Sequence, residues 1–214
     1  MRNGARSVAV ACLLPVAVLS ACTSGDQPDA GSVAGIPQAW LTATADGWPS
    51  SDAHGGDIPV LTSEKCLLGD QTPQVLGGGA EFTDSGWGAY GSSQSGYRYL
   101  CSFGKSGSFS GQLQLLRASS AAEASQTLTE LRTQKSTAQQ DNSVQEVTSG
   151  QLHLVVLKRW YPTNPQGRYE ALYLDDAANA LVSLEVNSLS KADFAAVTPQ
   201  EVADALVQTM AANS

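Results

Sequence analysis

Residues 151–188 read QLHLVVLKRWYPTNPQGRYEALYLDDAANALVSLEVNS. Three runs rich in Val, Leu, Tyr and Trp, at about 151–161, 168–175 and 180–188, are separated by PTNPQG and by DAAN. β-Branched and aromatic side chains suit a pleated surface, while Pro, Gly, Asn and Asp favour turns, so each run is expected to be a strand. A parallel crossover needs a dozen or more residues. Connections this short therefore predict an antiparallel meander. In the last run Ala180, Val182, Leu184 and Val186 alternate with Ser183, Glu185 and Asn187. That period of two gives one dry face and one wet face.

The flanks add helices. Downstream, Thr198-Pro199-Gln200-Glu201 is a capping box with Pro at the first helical position, and Val197 and Val202 are spaced as a hydrophobic staple. Val202, Ala205, Leu206 and Met210 then form one apolar stripe. Upstream, Ser120-Ala121-Ala122-Glu123 has the same S-x-x-E form. With Ala124, Leu128, Leu131 and Ala138 behind it, a helix is predicted from 120 to about 139. Tyr97–Phe103 and Gln112–Arg117 are expected as two further strands around a Gly/Ser turn. Thr72–Gly77 predicts a single helical turn, with Thr72 as N-cap, Pro73 as the first helical residue and Gly77 as the stop. Gly77–Gly96 is rich in Gly and Ser and reads as a long loop. Ile36–Asp57 is also loop-like, with Trp40 and Trp48 large enough to pack onto the domain. Strands in runs, with helices between and after them, predict an α+β fold. One antiparallel sheet of about five to six strands is expected, with helices packed on one face.

The N-terminus sets location. Arg2 and Arg6 precede an apolar run from Val8 to Leu19, the pattern of a secretory signal. The run is too short to span a bilayer as a helix, which takes about 20 residues. It ends on Leu19-Ser20-Ala21-Cys22, which resembles the lipobox of bacterial lipoproteins, where the Cys sulfur receives a diacylglycerol before cleavage in front of it. Residues 1–21 are thus expected to be a signal peptide, 22–35 a flexible tether and 36–214 one domain with its core at about 57–212. The tether (TSGDQPDAGSVAG after Cys22) is small and polar, and as a coil would span about 20 Å. Cleavage removes two of the twelve basic residues and none of the twenty acidic ones, leaving a net charge of −10. A chain so charged is repelled by nucleic acid and by anionic headgroups, so the expected membrane contact is the lipid itself.

Four cysteines are present. Cys12 leaves with the signal and Cys22 is assigned to the lipid, which leaves Cys66 and Cys101. In an oxidising compartment they favour a disulfide worth about 3–4 kcal/mol by loop entropy. Two free thiols in a redox or metal site are the alternative, without the close C-x-x-C spacing such sites usually show.

Cys66-Leu67-Leu68 shortly precedes Thr72-Pro73 and Gly77. Cys101-Ser102-Phe103 lies in a strand, and an Ala-rich helix, a meander and a terminal helix follow. Over residues 57–212 this resembles the small two-cysteine lipoproteins of actinobacteria that are classed as a domain of unknown function. The chain departs from that pattern at Cys66-Leu67-Leu68, one residue tighter, and at Phe103, where Trp is common. The resemblance implies the disulfide and the α+β fold, and no activity.

The remaining chemical signals are weak. Gly104-Lys105-Ser106 lacks the first Gly of a phosphate-binding loop, because Tyr99 stands there. Ser102-Phe103-Gly104-Lys105 and Ser188-Leu189-Ser190-Lys191 match S-x-x-K without the S-D-N and K-T-G partners. His54 and His153 are the two histidines, no G-x-S-x-G occurs, and Asp175-Asp176 suits a turn. No catalytic residue, metal site or cofactor is assigned. Trp87 and Tyr90, among many glycines, are the candidate ligand-binding residues, since aromatic faces on a loop can cover an apolar ligand or stack on a sugar.

The expected function is a non-enzymatic, extracytoplasmic binding module on the cell membrane, recognising an envelope protein or an apolar or glycan ligand. The alternatives are a lipid or glycolipid carrier with a cavity between sheet and helices, and a hydrolase whose site does not show in the sequence.

Overall fold

The computed structural model of the chain describes residues 33–48, 61–90, 96–105, 108–136 and 142–214. In chain order the elements are helix α1 (Gln38–Gly47), strand β1 (Leu61–Ser63), a 3-10 turn (Gln74–Leu76) and strands β2 (Glu81–Tyr90), β3 (Gly96–Lys105) and β4 (Ser108–Arg117). Helix α2 (Ala121–Ser136) leads to β5 (Ser143–Ser149), β6 (Leu152–Tyr161), β7 (Gln166–Asp175) and β8 (Ala180–Leu189), and α3 (Lys191–Ala196) and α4 (Pro199–Ala211) follow.

The class is α+β, as expected, with all strands in one sheet ordered β1-β2-β3-β4-β8-β7-β6-β5 and every neighbouring pair antiparallel. Two meanders, β2–β4 and β5–β8, join where β4 pairs with β8. The five to six strands expected become seven long ones and a three-residue edge strand. The extra long ones are β2 and β5. β2 carries two glycines and several small polar residues and β5 is largely polar, and they exist because the strands beside them supply the hydrogen-bond ladder. The sheet ends on the very short β1 and on the polar β5, edges that discourage further pairing.

The predicted loop Gly77–Gly96 is corrected by β2, which begins at Glu81 and pairs along its length with β3. The loop expected over Ile36–Asp57 is likewise interrupted by α1. The predicted helical turn is shifted. Pro73 itself takes the capping position, and Gly77 ends the turn at φ +78, where a side chain would be strained.

Helices lie on both faces, not on one. Trp40 and Leu41 of α1, Phe194 of α3 and Val202, Leu206 and Met210 of α4 share a core with Tyr99, Leu115, Tyr169, Val182 and Leu184 on one sheet face. Ala124 of α2 packs with Leu116, Val155, Leu157, Leu172 and Leu181, which alternate with those residues and so belong to the other face. The topology explains this. β4 and β5 run in the same direction with three strands between them, so their connection must cross a face, and α4 and α3 already occupy the first. The face expected to be wet is therefore partly roofed by α2, and Ser183 and Glu185 on it are buried.

The helix starts follow their sequence signals. Thr198 and Glu201 form both halves of the capping box. At α2 the box is displaced by one residue. Ser120 Oγ accepts from the Glu123 amide at 3.2 Å, but the Glu123 carboxylate accepts from the amide of Ser119 at 2.9 Å. A disulfide joins Cys66 to Cys101, with Cα atoms 5.5 Å apart. The Tyr99 hydroxyl holds the chain around Cys66, accepting from the Leu67 amide and donating to the Lys65 carbonyl, both at 3.1 Å.

Candidate functional site

The two candidate aromatics sit only three residues apart on β2 and point to opposite faces. Trp87 enters the core. It is 8% exposed, packs against Tyr99 with ring centroids 4.6 Å apart, and donates from Nε1 to the Thr44 carbonyl at 3.0 Å. A Cβ on Gly47 would overlap its indole, so the glycine that ends α1 admits the ring. Thr44 is shared with Tyr97, whose hydroxyl lies 2.8 Å from Thr44 Oγ1. Burial of the Tyr97 ring raises its pKa above the ordinary value, against the lowering effect of that hydrogen bond.

Tyr90 lies on the other face and reaches across to α2, where its hydroxyl hydrogen-bonds Thr127 Oγ1. This contact stands at one end of a cavity of about 260 Å³ between the sheet and α2. Part of its lining is apolar: Leu131 from α2, and Leu116, Leu172 and Leu181 from β4, β7 and β8. The polar part, Arg98, Gln114, Arg168, Glu170 and Ser183, shares the sheet face with those leucines, and Arg98 pairs in register with Leu116. The combination follows from the strands. Each leucine on this face is followed two positions along its strand by a polar residue (Leu181 by Ser183) or preceded by one (Leu116 by Gln114, Leu172 by Glu170). One end of the face is therefore oily and the other charged, and the cavity spans the change.

Behind the polar lining lies a buried ion cluster. Glu170 and Glu185 face each other in register on β7 and β8, at 5% and 4% exposure. Arg168 Nη2 donates to Glu185, and to Glu170 at 3.4 Å, and Asn187 also donates to Glu185. Two carboxylates side by side in a protein interior require such compensation. The Nε–H of Arg168 is buried and has no acceptor. A β-bulge at Gly167–Tyr169 puts Arg168 in this position. A polar ribbon continues the cluster across the sheet, with Gln114 Nε2 donating to Gln112 Oε1 at 3.1 Å and Gln112 Nε2 to Ser102 Oγ at 3.5 Å.

A second, larger groove of about 470 Å³ runs between the 3-10 turn and α3–α4, lined by Val75, Val197, Ala205, Glu201 and Asp204 among others. Its acids are already employed. Glu201 caps α4, and Asp204 accepts from Ser149 Oγ at 2.6 Å and from Gln200 at 2.9 Å. The cavity under α2 is smaller but more enclosed, and one of its lining residues, Arg168, carries a buried donor without an acceptor, so it is the better candidate site.

The protein-family models, curated proteins and solved structures compared with the chain include no match. The site therefore stands on its geometry.

The other sequence-level residues are placed as follows. Cys22 and His54 lie outside the described residues. His153 is exposed, with Nδ1 3.2 Å from Thr148 Oγ1. Asp175 does turn chemistry, accepting from the Ala178 amide at 3.0 Å and from the Ile36 amide at 3.1 Å. Ser190 caps α3. Ser102 is buried on β3 and accepts from Gln112. Sequence reasoning missed Arg98, Arg168, Glu170 and Glu185. The available signal was the charge alternation in Arg168-Tyr169-Glu170 and Leu184-Glu185-Val186, which places ionic side chains on the face opposite a fully apolar one.

Proposed function

We propose that the protein is a lipid-anchored cell-envelope lipoprotein acting as a non-enzymatic binding module, and that its ligand is a small molecule held between the sheet and α2. The lipobox at Cys22 and the secretory pattern before it support the anchor. Among the described residues no helix is long and apolar enough to cross a membrane. The observation that carries the binding role is the partly enclosed cavity lined by leucines together with several polar groups, the usual composition of a small-molecule site. Its volume lies just below the roughly 300–1,000 Å³ of such sites, which favours a small ligand over the long acyl chains a lipid carrier would enclose. Glu170 and Glu185 have the residue types of an acid/base pair. Their engagement with Arg168 fits a structural charge cluster better than a hydrolytic site.

Native mass spectrometry of the full-length protein, purified in detergent from the cells that make it, tests this reading. A small molecule should co-purify, and Thr127→Trp, which puts a large ring among the residues lining the cavity, should abolish it. Wild-type protein that carries no small molecule, or a ligand retained by Thr127→Trp, rejects the reading.

A further inference from the structure

The ligand class follows from which polar groups in the cavity are already committed. Arg168 has its Nη2 engaged by two buried carboxylates, so its charge is more than matched. Glu170 is likewise taken up. Tyr90 and Thr127 bond each other. Gln114 donates to Gln112. Arg98 differs. It lines the cavity from β3 and has no ion-pair or hydrogen-bond partner among the described residues. Arg168 lines the same cavity, and its buried Nε–H has no acceptor. Ser183 Oγ and Gln114 Oε1 are uncommitted but neutral, so among the described lining residues the one free charge is the guanidinium of Arg98. A guanidinium presents a planar fork of donors that matches a carboxylate in bidentate fashion. Leu116, which pairs in register with Arg98, together with Leu131, Leu172 and Leu181 gives the cavity an apolar surface beside that guanidinium.

We propose that the cavity takes a small monocarboxylate with a short apolar body, its carboxylate on Arg98 and its hydrocarbon against the leucines. This rests on the cavity being the ligand site. A cation would meet the free charge of Arg98 and find Glu170 and Glu185 already hydrogen-bonded. A bare inorganic anion would leave the leucine surface uncovered.

The test is a chemical-shift titration of the full chain in phospholipid nanodiscs, following the methyl resonances of Leu131 and Leu181 with hexanoate, hexanol and hexylamine as probes. Hexanoate should saturate with a Kd of about 1 mM or tighter. Arg98→Gln should weaken it at least about tenfold and leave hexanol unchanged, because only the charge-assisted bonds are lost. Arg98 is exposed and holds no partner among the described residues, so this variant should fold as the parent does, and unchanged backbone shifts away from the cavity verify that. Hexanol binding as tightly as hexanoate, or hexylamine binding more tightly, overturns the proposal while leaving the cavity as a ligand site. No saturation by hexanoate up to about 10 mM also overturns it. The cavity reading itself would then be decided by the co-purification experiment, whose readout is independent of these probes.

Discussion

Glu170 and Glu185 stand directly opposite one another on β7 and β8, both buried, with the guanidinium of Arg168 donating to each. Like charges in this arrangement repel at close range, and neither is accessible to bulk water. Arg168 is what allows both to be present. Removing it leaves buried carboxylates uncompensated. Arg168→Gln is expected to cost about 3 kcal/mol or more. In urea unfolding, the loss should shrink when Glu170→Gln is added, as a double-mutant cycle would register.

The burial of Trp87 sets a second expectation. Its ring fills the space between α1 and β3 and its N–H is spent on the Thr44 carbonyl. Trp87→Ala should cost about 3 kcal/mol or more, the usual penalty for truncating a buried Trp. Denaturant unfolding reads it directly, and a variant as stable as the parent would show that the ring is not part of the core.

The disulfide ties the segment before the 3-10 turn to the middle of β3. Replacing both Cys66 and Cys101 with Ser should lower stability by roughly 2–5 kcal/mol. Guanidinium midpoints for the parent and the double variant measure this, and adding reductant should move the parent toward the variant and leave the variant unmoved.

Alkaline pH should weaken the fold through its buried phenols. Desolvation raises the pKa of Tyr97 and of Tyr173 above 10.0, and for Tyr173 the nearby Asp175 and Asp176 act in the same sense. The folded chain then holds these protons more tightly than the unfolded chain does. Their contribution is complete below the unfolded value and is lost as pH rises through the folded one. Urea midpoints should fall between about pH 9 and about pH 11. Tyr97→Phe should start from a lower midpoint, having lost the Thr44 hydrogen bond, and should fall less steeply over that range.

The proposed anchor depends on one atom. Cys22→Ala should stop incorporation of a fatty-acid analogue and release the protein from membranes or stall its processing, because the lipid is the expected attachment. Labelling of the variant equal to that of the parent would remove the lipobox from the argument.

Local signals and pairing contributed differently to what could be read in advance. The meander of β6, β7 and β8 and the capping box of α4 were legible because each is decided within a few residues: alternation, turn residues, and a Thr and Glu three positions apart. β2 was not. Glu81–Tyr90 holds two glycines and several small polar residues, a composition typical of loops, and it becomes a strand because β3 offers it an unpaired edge. The same strand sends Trp87 into the core and Tyr90 to the cavity, a division that a loop assignment cannot make.

The sequence by itself determined the α+β class, the antiparallel meander and the starts of α2 and α4, and it alone carries the proposal of a secreted, lipid-anchored N-terminus, since these depend on neighbours along the chain. Only the tertiary structure decided that α2 crosses the second face, that Arg168, Glu170 and Glu185 meet there, and that Arg98 lines the same cavity from β3 without a partner among the described residues. Those relations join residues from strands brought together by the order of the sheet, and the order is set by the burial of two separate apolar faces, a global competition no local pattern records.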